Sequence, residues 1–195
     1  MALAVAAGVL RQGLALFLAG LVLKLLDDHL DAGEDSGPSP VAGWGRATAP
    51  YLLALFCLAA LADPGGALPV FAAGYAIGMA NEGGRRLPSG LTAGWEGGLL
   101  LGAVALLAGP LTAIWAAALL WSVQAADDYL DRAGDRLMGK PTLITRLGET
   151  ETLALAAGAA LLAAAVDPIR TGLAGLAFVA LQALEGRWKA ARGTR

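Results

Sequence analysis

The sequence predicts an all-α integral membrane protein, a single domain over residues 1–195 built as a bundle of about seven transmembrane helices with a parallel internal repeat that carries two aspartate-rich motifs. Three observations lead there. Hydrophobic residues make up 57% of the chain and its mean hydropathy is +0.62, against an apolar share of roughly 45–50% in soluble domains. The apolar residues fall into separate runs divided by Gly/Pro turns and charged loops. One acidic pattern, D-D-x-L-D-x-x-x-D, is written twice, as Asp27-Asp28-His29-Leu30-Asp31-Ala32-Gly33-Glu34-Asp35 and as Asp127-Asp128-Tyr129-Leu130-Asp131-Arg132-Ala133-Gly134-Asp135.

The first run ends at Leu26. A span over Leu10 to Leu26 puts Arg11 and Gln12 near one interface and lets Lys24 snorkel at the other. With no basic segment ahead of it and no cleavage site behind it, this run reads as a retained helix rather than a signal peptide. A Gly/Ser/Pro-rich loop, Ala32 to Arg46, leads to a second span at Pro50 to Ala62, closed by Asp63-Pro64-Gly65-Gly66. A third span covers Leu68 to Ala80, and the basic loop Asn81 to Gly90 precedes a fourth at Leu91 to Ala108. After Gly109-Pro110, a fifth span, Leu111 to Ala126, carries the second acidic motif. A basic loop to Leu147 follows, then a sixth span at Thr152 to Val166, an Asp167-Pro168 break, a seventh span at Gly172 to Leu184 and a basic tail. Alanine and glycine dominate the spans, which favours close helix packing.

Counting sides alternately, Lys24, Arg46, Arg85, Arg86, Arg132, Arg136, Lys140, Arg146, Arg187, Lys189, Arg192 and Arg195 share one face, and only Arg11 and Arg170 fall on the other. The rich face is expected to be cytoplasmic, with both acidic motifs and the C-terminus on it. An even number of spans separates equivalent points of the two motifs. The expected repeat is therefore parallel, with halves of about 1–108 and 109–195.

Each motif directly continues an apolar run, so each is expected to extend a membrane helix to the water interface. Asp27, Asp31 and Asp35, and likewise Asp127, Asp131 and Asp135, then recur at i, i+4 on one face. Stacked carboxylates at a low-dielectric boundary repel one another and call for a counter-charge. Hard oxygen ligands suit Mg²⁺ or Ca²⁺, and Mg²⁺ commonly completes its shell with water and substrate phosphate.

The pattern resembles the UbiA-type intramembrane prenyltransferases, whose two motifs N/D-D-x-x-D-x-x-x-D and D-x-x-x-D-x-x-x-D are similar to the two copies here. The likeness is tight from Asp127 to Gly148, where Gly134-Asp135-Arg136-Leu137-Met138-Gly139-Lys140-Pro141-Thr142-Leu143 and Arg146-Leu147-Gly148 follow the family's G-D-x-x-x-G-x-x-T-L and R-L-G. It is looser at the first motif. The family's bundle has more helices than the seven expected here, and its R-P-x-P-S-G segment follows the first motif closely, whereas the similar Arg85-Arg86-Leu87-Pro88-Ser89-Gly90 comes two spans later.

The resemblance implies a Mg²⁺-dependent prenyltransferase that takes a polyprenyl (allylic) diphosphate and passes the chain to an acceptor, a small molecule or a lipid. Two or more ions would be held by Asp27, Asp28, Asp31, Asp35, Asp127, Asp128, Asp131 and Asp135. Asp28, Asp31, Asp127 and Asp131 would be central to catalysis, and Asp27 and Asp128 would be supporting or outer-shell acceptors. Arg136, Lys140 and Arg146, then Arg85 and Arg86, would meet diphosphate oxygens. Such a site ionises the substrate by neutralising charge on its bridging oxygen. Tyr129 or Trp121 could shield the allylic cation, or anchor the interface.

Two other functions fit the same residues. One is a diphosphate-releasing or terpene-cyclising enzyme with the same site, and the other a non-catalytic protein that binds lipid diphosphate or divalent cations. Nucleotide-binding glycine loops, zinc spacings and Ser/His/Asp arrangements are missing from the sequence. With a net charge of -2 and segregated charges, nucleic acid is not an expected partner. The lone Cys57 reads as a small buried hydrophobe and His29 as a solvated or hydrogen-bonding side chain. Glu96 and Gln124 could each bind substrate or satisfy a neighbouring polar group.

Overall fold

The computed structural model describes residues 2–30, 41, 43–79, 83–138 and 142–193. Among them the regular elements are helices: α1 (Ala2–Leu30), a 3-10 turn (Gly45–Ala47), α2 (Thr48–Ala62), α3 (Pro64–Gly78), α4 (Ala93–Ala108), α5 (Pro110–Met138), the short α6 (Leu143–Leu147), α7 (Glu149–Val166) and α8 (Pro168–Gly193). Leu3–Leu30, Gly45–Ala62 and Glu149–Val166 are long and apolar enough to cross a membrane, and Ala93–Ala108 is a shorter apolar helix. Their outward faces are as apolar as their inner ones. Leu61, Leu106, Leu107 and Leu161 are all exposed, Leu107 at 89%, a surface suited to hydrocarbon rather than water.

α1 and α5 each run for 29 residues, unbroken from an apolar stretch into an acidic motif. The first helix begins at Ala2, ahead of the span expected from Leu10. Arg11 and Gln12 lie within α1, where nothing in the local sequence stops a helix.

By packing, the chain forms two units. One comprises the chain up to Phe71 together with the last helix from Gly172, and the other comprises Ala72–Thr171. The divisions fall within helices, in α3 after Phe71 and in α8 after Thr171.

In the first unit α1 packs on α2, and its buried Ala15, Ala19, Val22 and Leu25, three to four residues apart, share one helical face. Val22, Leu25, Val41 and Leu52 form the centre, and Phe56, Phe71 and Trp188 close around it. Gly20 permits the approach of α8, since a Cβ there would lie 3.1 Å from a methyl of Leu181. Further along the same two helices Lys24 Nζ meets Glu185 Oε2 at 2.6 Å, with both side chains largely shielded. Lys24, expected to snorkel, is held by this ion pair. An ammonium among apolar helices is neutralised by a carboxylate brought to it on α8. Cys57 is exposed on α2 rather than buried; an apolar helix surface accommodates a thiol without enclosing it.

The second unit is dominated by α5 against α7, with α4 also on α5. Trp115 is fully buried there, and its indole N–H donates to Thr171 Oγ1 at 3.0 Å. Gly97 brings α4 against α3, since a Cβ would stand 3.0 Å from the Cα of Ala76.

The two Asp-Pro breaks are built alike. Asp63 (φ -152, ψ 96) and Asp167 (φ -144, ψ 91) end α2 and α7 in extended backbone, the conformation a following proline imposes. Each donates its N–H back four residues, to Ala59 and Ala163, and each carbonyl accepts from the fourth residue on, Ala67 and Thr171. Pro64 and Pro168 occupy first helical positions, where a missing N–H costs nothing. Arginine braces both corners. Arg11 donates through Nε and Nη2 to the carbonyl of Ala62 at 3.1 and 3.0 Å, and Arg170 pairs with Asp167 and lies over the Trp115 ring. These are the two arginines that the side count sets apart from the rest, and both are tied to helix corners.

Candidate functional site

The second acidic motif lies on α5. Since the helix continues to Met138, Asp127, Asp131 and Asp135 follow one another at i, i+4 on one of its faces. Asp131 is exposed and Asp127 half-buried. Asp128, on the adjoining face, is engaged at both oxygens. Oδ1 accepts from Gln124 Nε2 at 3.0 Å, and Oδ2 accepts the backbone N–H of Leu143 at 2.7 Å.

That second bond explains the residues following the motif. Leu143 is the first residue of α6, whose N–H has no partner within the helix, and Asp128 supplies one from fifteen positions earlier. Thr142 closes the same end by a reciprocal capping box, its hydroxyl accepting from Thr145 N–H while the Thr145 hydroxyl accepts from Thr142 N–H. Gly148, at φ +105, ends α6 and begins α7, a backbone angle that only glycine adopts readily. The Thr142-Leu143 and Arg146-Leu147-Gly148 strings thus form a short helix latched to the acidic helix, and Arg146 is exposed on it. Arg132 turns back on its own helix, donating to the carbonyl of Tyr129 at 2.7 Å with its guanidinium carbon 4.2 Å from the Tyr129 ring centroid. One face of that ring is therefore covered.

Nearer the middle of α5 the surface becomes an open apolar groove of about 600 Å³ against α7, lined by Ile114, Ala118, Trp121, Leu155, Gly158 and Leu162 among others. Trp121 precedes Asp127 by six residues, roughly 9 Å along a helix. One helix therefore presents an apolar trough and then a row of carboxylates.

Of the first motif, Asp27 and Asp28 lie in the last turn of α1, Asp27 exposed and Asp28 half-buried. Asp31, Asp35 and Lys140 lie outside the described residues, and Asp135 and Arg136 enter only through the backbone of α5. The two motifs belong to different packing units. Among the described residues no three His, Cys, Asp or Glu side chains converge to hold an ion. Asp127 and Asp131 stand one turn apart on α5 beside the apolar end of the helix, and carboxylate oxygen is a donor type that suits Mg²⁺.

Arg85 and Arg86 stand on a separate element, a small hairpin ahead of α4, and both are exposed. Glu96, on the first turns of α4, accepts from the Tyr75 hydroxyl at 2.7 Å and from the Ser89 hydroxyl. Of its two expected roles, it fills that of satisfying neighbouring hydroxyls, as Gln124 does toward Asp128. Sequence reasoning missed the Asp128 latch and the Lys24–Glu185 pair. The latch had a signal in Thr142, set three residues before a second hydroxyl at Thr145; the pair had none, because nothing local links residues 24 and 185.

No protein-family model, curated protein or solved structure matches this chain.

Proposed function

We propose that the protein is a Mg²⁺-dependent intramembrane prenyltransferase, similar to the UbiA type, that acts on an allylic polyprenyl diphosphate and transfers its chain to an acceptor. The observation that carries this reading is the arrangement on α5, where an apolar groove ending at Trp121 is followed by the Asp127, Asp128, Asp131 sequence with α6 latched beside it. An isoprenoid tail suits the groove, and a diphosphate coordinated through Mg²⁺ suits the carboxylates.

In this reading all seven long helices span the membrane. The order of long helix, acidic motif, shorter helix, Asp-Pro corner and helix occurs twice, as α1–α2–α3 and as α5–α7–α8. That recurrence, with matching corner geometry, supports a parallel repeat, and the distribution of Lys and Arg supports the cytoplasmic side for both acidic motifs. Asp27, Asp28, Asp31 and Asp35 of one motif and Asp127, Asp131 and Asp135 of the other would hold the ions, with Asp128 set behind them by its bonds to Gln124 and Leu143. Bound Mg²⁺ would act as a Lewis acid toward the departing diphosphate. Arg136, Lys140 and Arg146 follow the second motif closely enough to neutralise the oxygens left over. Trp121, in the groove, is better placed than Tyr129 to face an allylic cation, because Arg132 already lies over the Tyr129 ring.

The test is incubation of the purified protein with radiolabelled allylic diphosphates of several lengths, with and without Mg²⁺, in the presence of a membrane lipid extract as acceptor source. Mg²⁺-dependent transfer of label to a new lipid-soluble product that incorporates an acceptor is the expected result. Release of diphosphate with formation only of an alcohol or cyclised hydrocarbon would replace transferase by hydrolase or cyclase. Retention without turnover would leave a binding protein.

A further inference from the structure

Before α4 the chain folds into a tight hairpin. Leu87 donates its N–H to Leu91 and accepts from Gly90, each bond 2.9 Å. Pro88 holds the second turn position, and Gly90, at φ +84, takes the left-handed position that closes such a hairpin. Arg86 bridges Thr92 in antiparallel fashion. The carbonyls of Arg85 and Gly83 accept the N–H groups of Ala93 and Gly94 at 2.9 and 3.0 Å, so the hairpin itself caps α4. Ser89 at the tip donates to Glu96, which also takes the Tyr75 hydroxyl of α3. The backbone carrying two arginines is thus pinned on both strands and at its turn.

The exposed surface of this element mixes charge with apolar bulk. Arg85 and Arg86 are exposed beside Pro88 and Leu91, and Trp95, on the first turn of α4, is 71% exposed. An indole open to its surroundings at the start of an apolar helix matches the headgroup level of a bilayer. Two guanidinium groups carried next to it on this pinned backbone would stand among lipid phosphates, where cationic side chains are drawn to anionic lipid. Guanidinium also chelates phosphate in a two-pronged geometry that ammonium cannot match.

We propose that the hairpin Arg85–Leu91, with Trp95, is a preformed clamp for the headgroups of anionic phospholipids in the surrounding bilayer. It serves the membrane rather than the substrate diphosphate, and it depends on the membrane reading of the chain but not on the prenyltransferase reading.

The test uses the full chain, delipidated in detergent and exposed to phosphatidylcholine containing a quarter phosphatidylglycerol, with retained lipid counted by native mass spectrometry. The wild-type protein is expected to hold phosphatidylglycerol at least fivefold over its share in the mixture. R85Q/R86Q should lose that preference, R85K/R86K should keep part of it, and Trp95→Ala should lower retention of both lipids. Millimolar inorganic pyrophosphate should not displace the bound lipid. If R85Q/R86Q and R85K/R86K both keep the full wild-type preference, other basic segments carry it and the proposal falls. Displacement by pyrophosphate in an Arg85-dependent manner would also overturn it, by returning the hairpin to a diphosphate site.

Discussion

Asp128→Ala separates a latch from a ligand. In the structure Asp128 Oδ2 takes the Leu143 N–H at 2.7 Å and so fixes the first turn of α6 to α5. A hydrogen bond to a charged acceptor contributes about 1.5–3 kcal/mol, and each 1.4 kcal/mol is tenfold in an equilibrium. Alanine should therefore speed hydrogen exchange of the Leu143 amide and its neighbours in α6 by roughly ten- to a hundredfold, while exchange in α7 changes little. Asparagine can still accept from Leu143, and the Gln124 amide can turn to meet it, so Asp128→Asn should retain about half of the effect, near 1 kcal/mol. The same variants bear on Mg²⁺-dependent diphosphate binding. With Asp128 behind the ions, Asp128→Asn should bind almost as the wild type does, whereas Asp131→Asn should not. Unchanged exchange of α6 in Asp128→Ala would refute the latch, and equal binding losses for Asn at 128 and 131 would refute its separation from the ligand group.

Two further outcomes are expected. Glu185→Ala removes the carboxylate that meets Lys24 Nζ at 2.6 Å and should destabilise the protein by about 1.5 kcal/mol, with partial recovery in the exchanged pair Lys24→Glu/Glu185→Lys; detergent-solubilised unfolding curves measure both, and equal stability of Glu185→Ala and wild type would contradict it. In a Cys57→Ala background, single cysteines replacing Ser36 and Met138 should be labelled from the same side of intact vesicles, and labelling from opposite sides would rule out the parallel repeat.

Much of the fold was legible because its signals are local. Each apolar run became a helix in the expected order, and the Asp63-Pro64, Gly109-Pro110 and Asp167-Pro168 breaks fell where a proline fits the first turn of a new helix. Helix ends were less legible. α1 runs on through Arg11, a good helix former whose guanidinium donates to the carbonyl of Ala62, a partner 51 residues away. The acidic row on α5 was legible from the i, i+4 spacing of Asp127, Asp131 and Asp135 alone. The engagement of Asp128 was not, since its bond to the Leu143 N–H depends on a residue fifteen positions later folding back to it. Glu96 was recognised as an unusual charge in an apolar helix, but its hydroxyl partners, Tyr75 on α3 and Ser89 on the hairpin turn, depend on how that loop folds back.

The central claim is that the two acidic motifs act together on one diphosphate. Calorimetric titration of an allylic diphosphate in the presence of Mg²⁺, on Asp31→Asn, Asp131→Asn, the double variant and a Glu151→Gln control, tests it most directly. Either single change should weaken binding tenfold or more, about 1.4 kcal/mol at least, the double variant should lose little beyond that, and the control should match the wild type. Small losses at 31 and 131 that simply add in the double variant, as independent sites do, would contradict it.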